Sequence, residues 1–114
     1  MTKFKLLRIY TDAASYSGDR KSLEVIAALA RERGVAGITI IEALLGFGKS
    51  AHLHRHHVFE SDRAVVIEIV DEEERLRAFA QALREVTGIG LATLEEVEIL
   101  FQATTPDPHR PDKP

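Results

Sequence analysis

The sequence predicts an α+β domain in which two helices cover one face of a four-stranded antiparallel sheet, in the chain order βαββαβ. Three observations carry this. Two stretches repeat apolar residues at helical spacing, four short stretches are β-branched or alternate in polarity, and all prolines (106, 108, 111 and 114) fall in the last nine residues. Residues 1–105 are therefore free to form regular structure throughout.

The first strand is expected over residues 4–10 (Phe-Lys-Leu-Leu-Arg-Ile-Tyr), which are β-rich and stop before the turn-prone stretch 11–19. Leu23, Ile26, Ala27 and Ala30 then recur at helical spacing, with Asp19 and Ser22 as capping candidates and Gly34 closing the run. Residues 35–45 carry Val35, Ile38, Thr39, Ile40 and Ile41, which favour a strand. A polar, histidine-rich stretch follows to about Arg63, and residues 64–70 (Ala-Val-Val-Ile-Glu-Ile-Val) form the clearest strand of the chain. Asp71, Glu72, Glu73 and Glu74 suit the positive end of a helix dipole, and Leu76, Phe79, Ala80 and Leu83 line one helical face before Thr87 and Gly88 stop it. Residues 94–101 alternate, with Val97, Ile99 and Phe101 on one face and Glu96 and Glu98 on the other. This order is the split βαβ, ferredoxin-like arrangement. Apolar residues on both parities of several strands leave the helix-free face of the sheet apolar, and self-association is the economical way to cover it. The domain is expected over residues 1–103, with 104–114 a Pro-rich flexible tail that has nothing apolar to bury.

Composition bounds the function. A chain of 114 residues with 45% hydrophobic residues folds as one domain, and 15 Lys plus Arg against 18 Asp plus Glu (net −3) argues against a broad nucleic-acid-binding face. The RRM shares the βαββαβ order but needs stacking aromatics on its central strands, and residues 64–70 contain none. Zero Cys removes disulfides, thiolate chemistry and Cys-ligated zinc. The first residues run into a short apolar stretch without a signal-peptide pattern, and no apolar run approaches the ~18 residues of a membrane span. The expectation is a small cytoplasmic protein that neither inserts in a membrane nor binds nucleic acid.

Residues 43–50 (Ala-Leu-Leu-Gly-Phe-Gly-Lys-Ser) satisfy a permissive phosphate-loop pattern, but no amphipathic helix follows Lys49 and Ser50 to hold phosphates. What remains is a Gly turn: Gly46 and Gly48 let backbone amides approach an anion, with Lys49 adjacent. His52, His54, His56 and His57 lie within six residues. In extended backbone the first three project to one side, where they can share a divalent metal, although a defined site also wants an orienting second layer of partners. No Ser or Cys nucleophile has a readable triad, so the reading is a binding protein; Glu68 and His54 are the sole acid–base candidates. Glu68 lies in an otherwise apolar strand, where a charge faces solvent, an interface or a ligand.

Several short words taken in order resemble the nitrogen-regulatory PII proteins. They are residues 36–42 (Ala-Gly-Ile-Thr-Ile-Ile-Glu), 46–48 (Gly-Phe-Gly), 67–70 (Ile-Glu-Ile-Val) and 87–90 (Thr-Gly-Ile-Gly). Closer still, residues 7–10 (Leu-Arg-Ile-Tyr), the stretch from Gly46 to His54 and residues 66–71 (Val-Ile-Glu-Ile-Val-Asp) are similar to the PII-like family called domain of unknown function 190. The resemblance spans residues 4 to about 101. It implies a PII-like homotrimer with small-ligand clefts between subunits and a target protein touched through the 46–63 loop. It places an adenine nucleotide against Thr39, Gly46, Phe47, Gly48, Lys49, Ser50, Glu68, Gly88 and Gly90. Residues 91–93 (Leu-Ala-Thr) stand where PII proteins carry a phosphate-binding Lys, and residues 95–102 hold no Arg, so AMP or ADP is expected over ATP. The alternative is a divalent-metal-binding or metal-tolerance protein of the similarly folded CutA type, with His52, His54 and His56 as ligands.

Overall fold

Alternation along the strands and 3.6-residue spacing along the helices converge on one core. The computed structural model describes residues 3–43 and 63–103. Its elements are β1 (Phe4–Asp12), β2 (Tyr16–Ser17), β3 (Arg20–Lys21), α1 (Ser22–Glu32), β4 (Thr39–Glu42), β5 (Ala64–Glu72), α2 (Glu73–Leu83) and β6 (Leu91–Glu96). The main sheet runs β4-β5-β1-β6, every neighbouring pair antiparallel, and β2 and β3 form a separate small hairpin. The long strands β1 and β5 are central because their odd-numbered residues can be fully covered: Leu7 and Ile9 face the same side as Val65, Ile67 and Ile69, and all are buried. Ile26 and Ala30 of α1 and Leu76, Phe79 and Leu83 of α2 close over them. The expected α+β, ferredoxin-like order is therefore the observed one.

Details differ from the sequence reading for local reasons. Neither Asp19 nor Ser22 caps α1: Lys21 holds the N-cap position without a side-chain bond, and Ser22 is buried, its hydroxyl donating to the Thr87 carbonyl at 2.6 Å. Gly34 does close the helix, at φ +70°, a conformation that glycine adopts without a Cβ penalty. The strand expected over 35–45 narrows to Thr39–Glu42, because the Val35 amide still bonds back to Ala30 and the Ala36 amide to Asp71. The last strand is Leu91–Glu96 instead of 94–101: β1 supplies partners only as far as Lys5, opposite Glu96, and residues 97–103 form no strand.

Asp71 ties these pieces together. It is 2% exposed, and its carboxylate accepts the amides of Ala36 at 2.7 Å and Glu72 at 2.6 Å. One side chain thus fixes both the approach to β4 and the passage from β5 into α2. Replacing Asp71 by Ala strands these donors and is expected to lower stability by roughly 1–3 kcal/mol in urea unfolding. Asn, which keeps one carbonyl acceptor, is expected to lose less.

Candidate functional site

The sheet register brings polar residues into a line across the helix-free face. Thr39 lies opposite Glu68, Glu68 opposite Arg8, and Arg8 opposite Thr93, so one row crosses all four strands. The row toward the loop end is Ile41, Val66, Tyr10 and Leu91; toward the other end it is Val70, Leu6 and Glu95. This face was expected to present a large apolar patch. It is apolar only at its margins, where Ile41, Val70 and Leu91 are exposed. Its centre is an ion cluster: Arg8 donates from Nε to Glu68 at 2.9 Å and from Nη1 to Glu95 at 2.8 Å.

The Glu68 hydrogen bond raises the Arg8 guanidinium above its ordinary value; burial opposes the shift, and the nearby Glu95 charge adds to it. With about a third of the Arg8 and Glu68 side chains still exposed, the pair contributes little to the stability of the isolated chain. Its meaning is chemical. Two carboxylates share one guanidinium, so the cluster carries a net charge of −1, and covering it calls for further donors from a ligand or a neighbour. Arg8 and Glu95 were missed by sequence reasoning. The signal was available: Arg8 has the opposite parity to buried Leu7 and Ile9, and antiparallel pairing sets it against Glu68.

Of the residues singled out from sequence, Thr39 on the β4 edge and Glu68 on the adjoining strand β5 come together as a cross-strand pair. Gly88 and Gly90 lie at the opposite edge, on the turn into β6, where the Gly90 amide donates to the Tyr10 carbonyl at 2.8 Å. One chain therefore separates Thr39 and Glu68, on the β4–β5 side of the sheet, from Gly88 and Gly90 at the β6 edge. Gly88 also has a packing role: at φ +95° its carbonyl accepts from the Thr11 hydroxyl at 2.7 Å, and Ser15 and Ser22 occupy the space that a Cβ would need. Gly46, Phe47, Gly48, Lys49, Ser50, His52, His54 and His56 lie outside the described residues, as does the 104–114 tail. Among the described residues, no group of His, Cys, Asp and Glu side chains could hold a metal ion, and no helix is long and apolar enough to cross a membrane.

Comparison with known proteins places this geometry. Among solved structures, CPII bound to ADP and bicarbonate, from Thiomonas intermedia K12, superposes with a TM-score of 0.63 at 21% identity, over 84% of this chain and 87% of that one. CPII bound to ADP, AMP and bicarbonate, described as a nitrogen regulatory PII-like protein, gives 0.60 at 20% identity, over 84% and 93%. These likenesses establish a PII-like fold. By sequence, two UPF0166 proteins of Aquifex aeolicus (strain VF5) are relatives. One is 37% identical over 105 residues, covering 89% of this chain and 97% of its own length; the other is 30% identical over 86 residues, covering 74% and 90%. A family model, DUF190, described as an uncharacterized ACR, matches residues 4–99, and the chain belongs to that family.

Proposed function

We propose that this protein is a PII-like sensor that binds an adenine nucleotide, AMP or ADP, in a cleft between subunits of a cytoplasmic homotrimer. It signals to a target protein through the 46–63 loop. What supports the reading is the split of the candidate residues: Thr39 stands on the β4 edge beside Glu68 of the adjoining strand β5, and Gly88 and Gly90 stand at the opposite, β6 edge. A ligand that touches both sets is most simply accommodated between two copies, one presenting each edge. The nucleotides bound by CPII, on the same fold, support the choice of ligand class. In this reading Glu68 accepts hydrogen bonds from ribose or adenine donors while Arg8 holds its carboxylate in place. The Gly46–Gly48 turn supplies backbone amides to the phosphate, with Lys49 adding charge.

The test is native mass spectrometry of freshly purified, untagged protein, followed by calorimetry with AMP, ADP and ATP, each with and without magnesium. A trimer that binds AMP or ADP more tightly than ATP is expected. Replacing Glu68 by Gln keeps the shape and removes the charge, and is expected to weaken nucleotide binding by about 1.5–3 kcal/mol, or roughly 10- to 150-fold. A trimer that ignores all three nucleotides limits the PII likeness to the fold.

A further inference from the structure

The last apolar run of the described chain has no place in its own sheet. Beyond Glu96, where β6 parts from Lys5, residues 97–103 form no strand, although Val97, Ile99 and Phe101 alternate with Glu98 and Leu100 in strand period. Ile99, Leu100 and Phe101 are 39, 82 and 88% exposed. A cleft of about 340 Å³, lined by Lys3, Phe4, Lys5, Glu96, Val97 and Ile99, opens where the segment leaves β1. At the other side of the sheet, β4 is a four-residue edge strand exposed along its whole length, with Ile40 and Ile41 open to solvent. Its outward backbone groups have no ladder partner among the described residues.

We propose that residues 97–101 of one copy extend β6 into a strand that pairs with the β4 edge of a second copy. The inference rests on the self-assembly proposed above and specifies its contact. Length and polarity fit: five residues with three apolar side chains on one face meet a four-residue edge that presents Ile41 on that face and Ile40 on the other. Charge selects this edge over the alternative. Two β6 edges placed against each other would set Glu95, Glu96 and Glu98 of both copies in one ladder, where like charges directly opposite repel. The β4 edge carries a single carboxylate, Glu42, which already has Arg63 at 3.7 Å. Closure fits as well. Joining two different edges is a head-to-tail contact, which closes into a ring when the rotation allows, as a trimer requires.

Backbone hydrogen exchange on the full, untagged chain, read alongside native mass spectrometry, tests this. The variant is Ile99→Pro/Leu100→Pro. Successive residues of a strand turn their N–H groups to opposite sides, so one of the two prolines removes a ladder donor whatever the register. These residues bond to no backbone group of their own sheet among the described residues, so the variant chain is expected to keep its circular dichroism. In the wild-type assembly every second amide within residues 98–101, those turned toward the β4 edge, is expected to exchange about 100-fold or more slowly than unstructured ones, and the proline variant to dissociate. Assembly of the variant like wild type, or an oligomer whose 98–101 amides exchange at the unstructured rate, overturns this pairing and leaves the trimer standing. A wild-type chain that is monomeric overturns the trimer and the pairing together. Since the chain has no Cys, Ile99→Cys adds a lone thiol; a covalent dimer on oxidation would place two β6 extensions together and also overturn the proposal.

Discussion

Valine at position 88 is expected to destabilise the folded chain by roughly 2–5 kcal/mol, two effects adding. The first is conformational: Gly88 sits at φ +95°, outside the regions open to a β-branched residue, and left-handed backbone alone costs an L-residue about 1–2 kcal/mol. The second is space. A Cβ here would lie 2.5 Å from Ser15 Cβ, 2.8 Å from Ser22 Oγ and 2.9 Å from Ser15 Oγ. None of these atoms is the far end of a long, flexible side chain. Ser15 and Ser22 are both buried, and Ser22 is tied to the Thr87 carbonyl, so relief means moving the start of α1; forced overpacking of this kind costs typically ~1–3 kcal/mol. The Thr11 bond to the Gly88 carbonyl moves with it, loosening β1 where β6 begins. Alanine at the same position meets the same Cβ contacts with less conformational strain and is expected to lose less. Denaturant unfolding of Gly88→Ala and Gly88→Val gives the comparison; a valine variant within ~0.5 kcal/mol of wild type would mean that this turn relaxes freely. Because the loss is in the folding of one chain, a fall in nucleotide affinity in these variants would not by itself identify Gly88 as a ligand contact.

That ambiguity marks how far the sequence is legible. Strand and helix order was readable because burial imposes a period: Leu7 and Ile9, or Ile67 and Ile69, are apolar at alternate positions for the same reason that they are buried. Boundaries were less readable because they depend on partners. Val97, Ile99 and Phe101 have the pattern of a strand, yet the strand stops at Glu96 where β1 ends, a fact about a neighbour ninety residues away in sequence. The candidate site shows the same division. Glu68 stood out as a charge in an apolar run, but its partner Arg8 looked like an ordinary polar residue until pairing set the two side by side. Gly88 was noticed as a motif glycine. Its packing against Ser15 and Ser22 arises from three segments distant in sequence, and no local word announces it.

Phe79→Ala is expected to have the largest effect of all, about 3–5 kcal/mol, because Phe79 is the bulkiest of the fully buried side chains. It sits mid-way along α2, on the stripe shared with Leu76 and Leu83, in the same core as Ile9, Ile67 and Ile69 of the two central strands. Removing the ring withdraws apolar surface from the only large core among the described residues and leaves a cavity that a helix clamped at both ends cannot close. Asp71 fixes the start of α2, and the Val86 amide bonds back to the Leu83 carbonyl at its end, so the helix cannot slide toward the sheet. Domains of this size have total stabilities of about 5–15 kcal/mol, so the variant is expected to lose at least about a fifth of the whole. At roughly 4–8 °C per kcal/mol, the midpoint falls by tens of degrees. Phe79→Leu, which keeps most of the volume, is expected to recover the greater part. The trimer proposed above adds a check, since such an assembly would resist unfolding more as protein concentration rises. The Phe79→Ala midpoint is then expected to climb with concentration in parallel with wild type, because the lost contacts lie under the helices and not on the face or edges offered to neighbours. A concentration dependence abolished by Phe79→Ala would instead show that the core and the subunit contact fold as one unit.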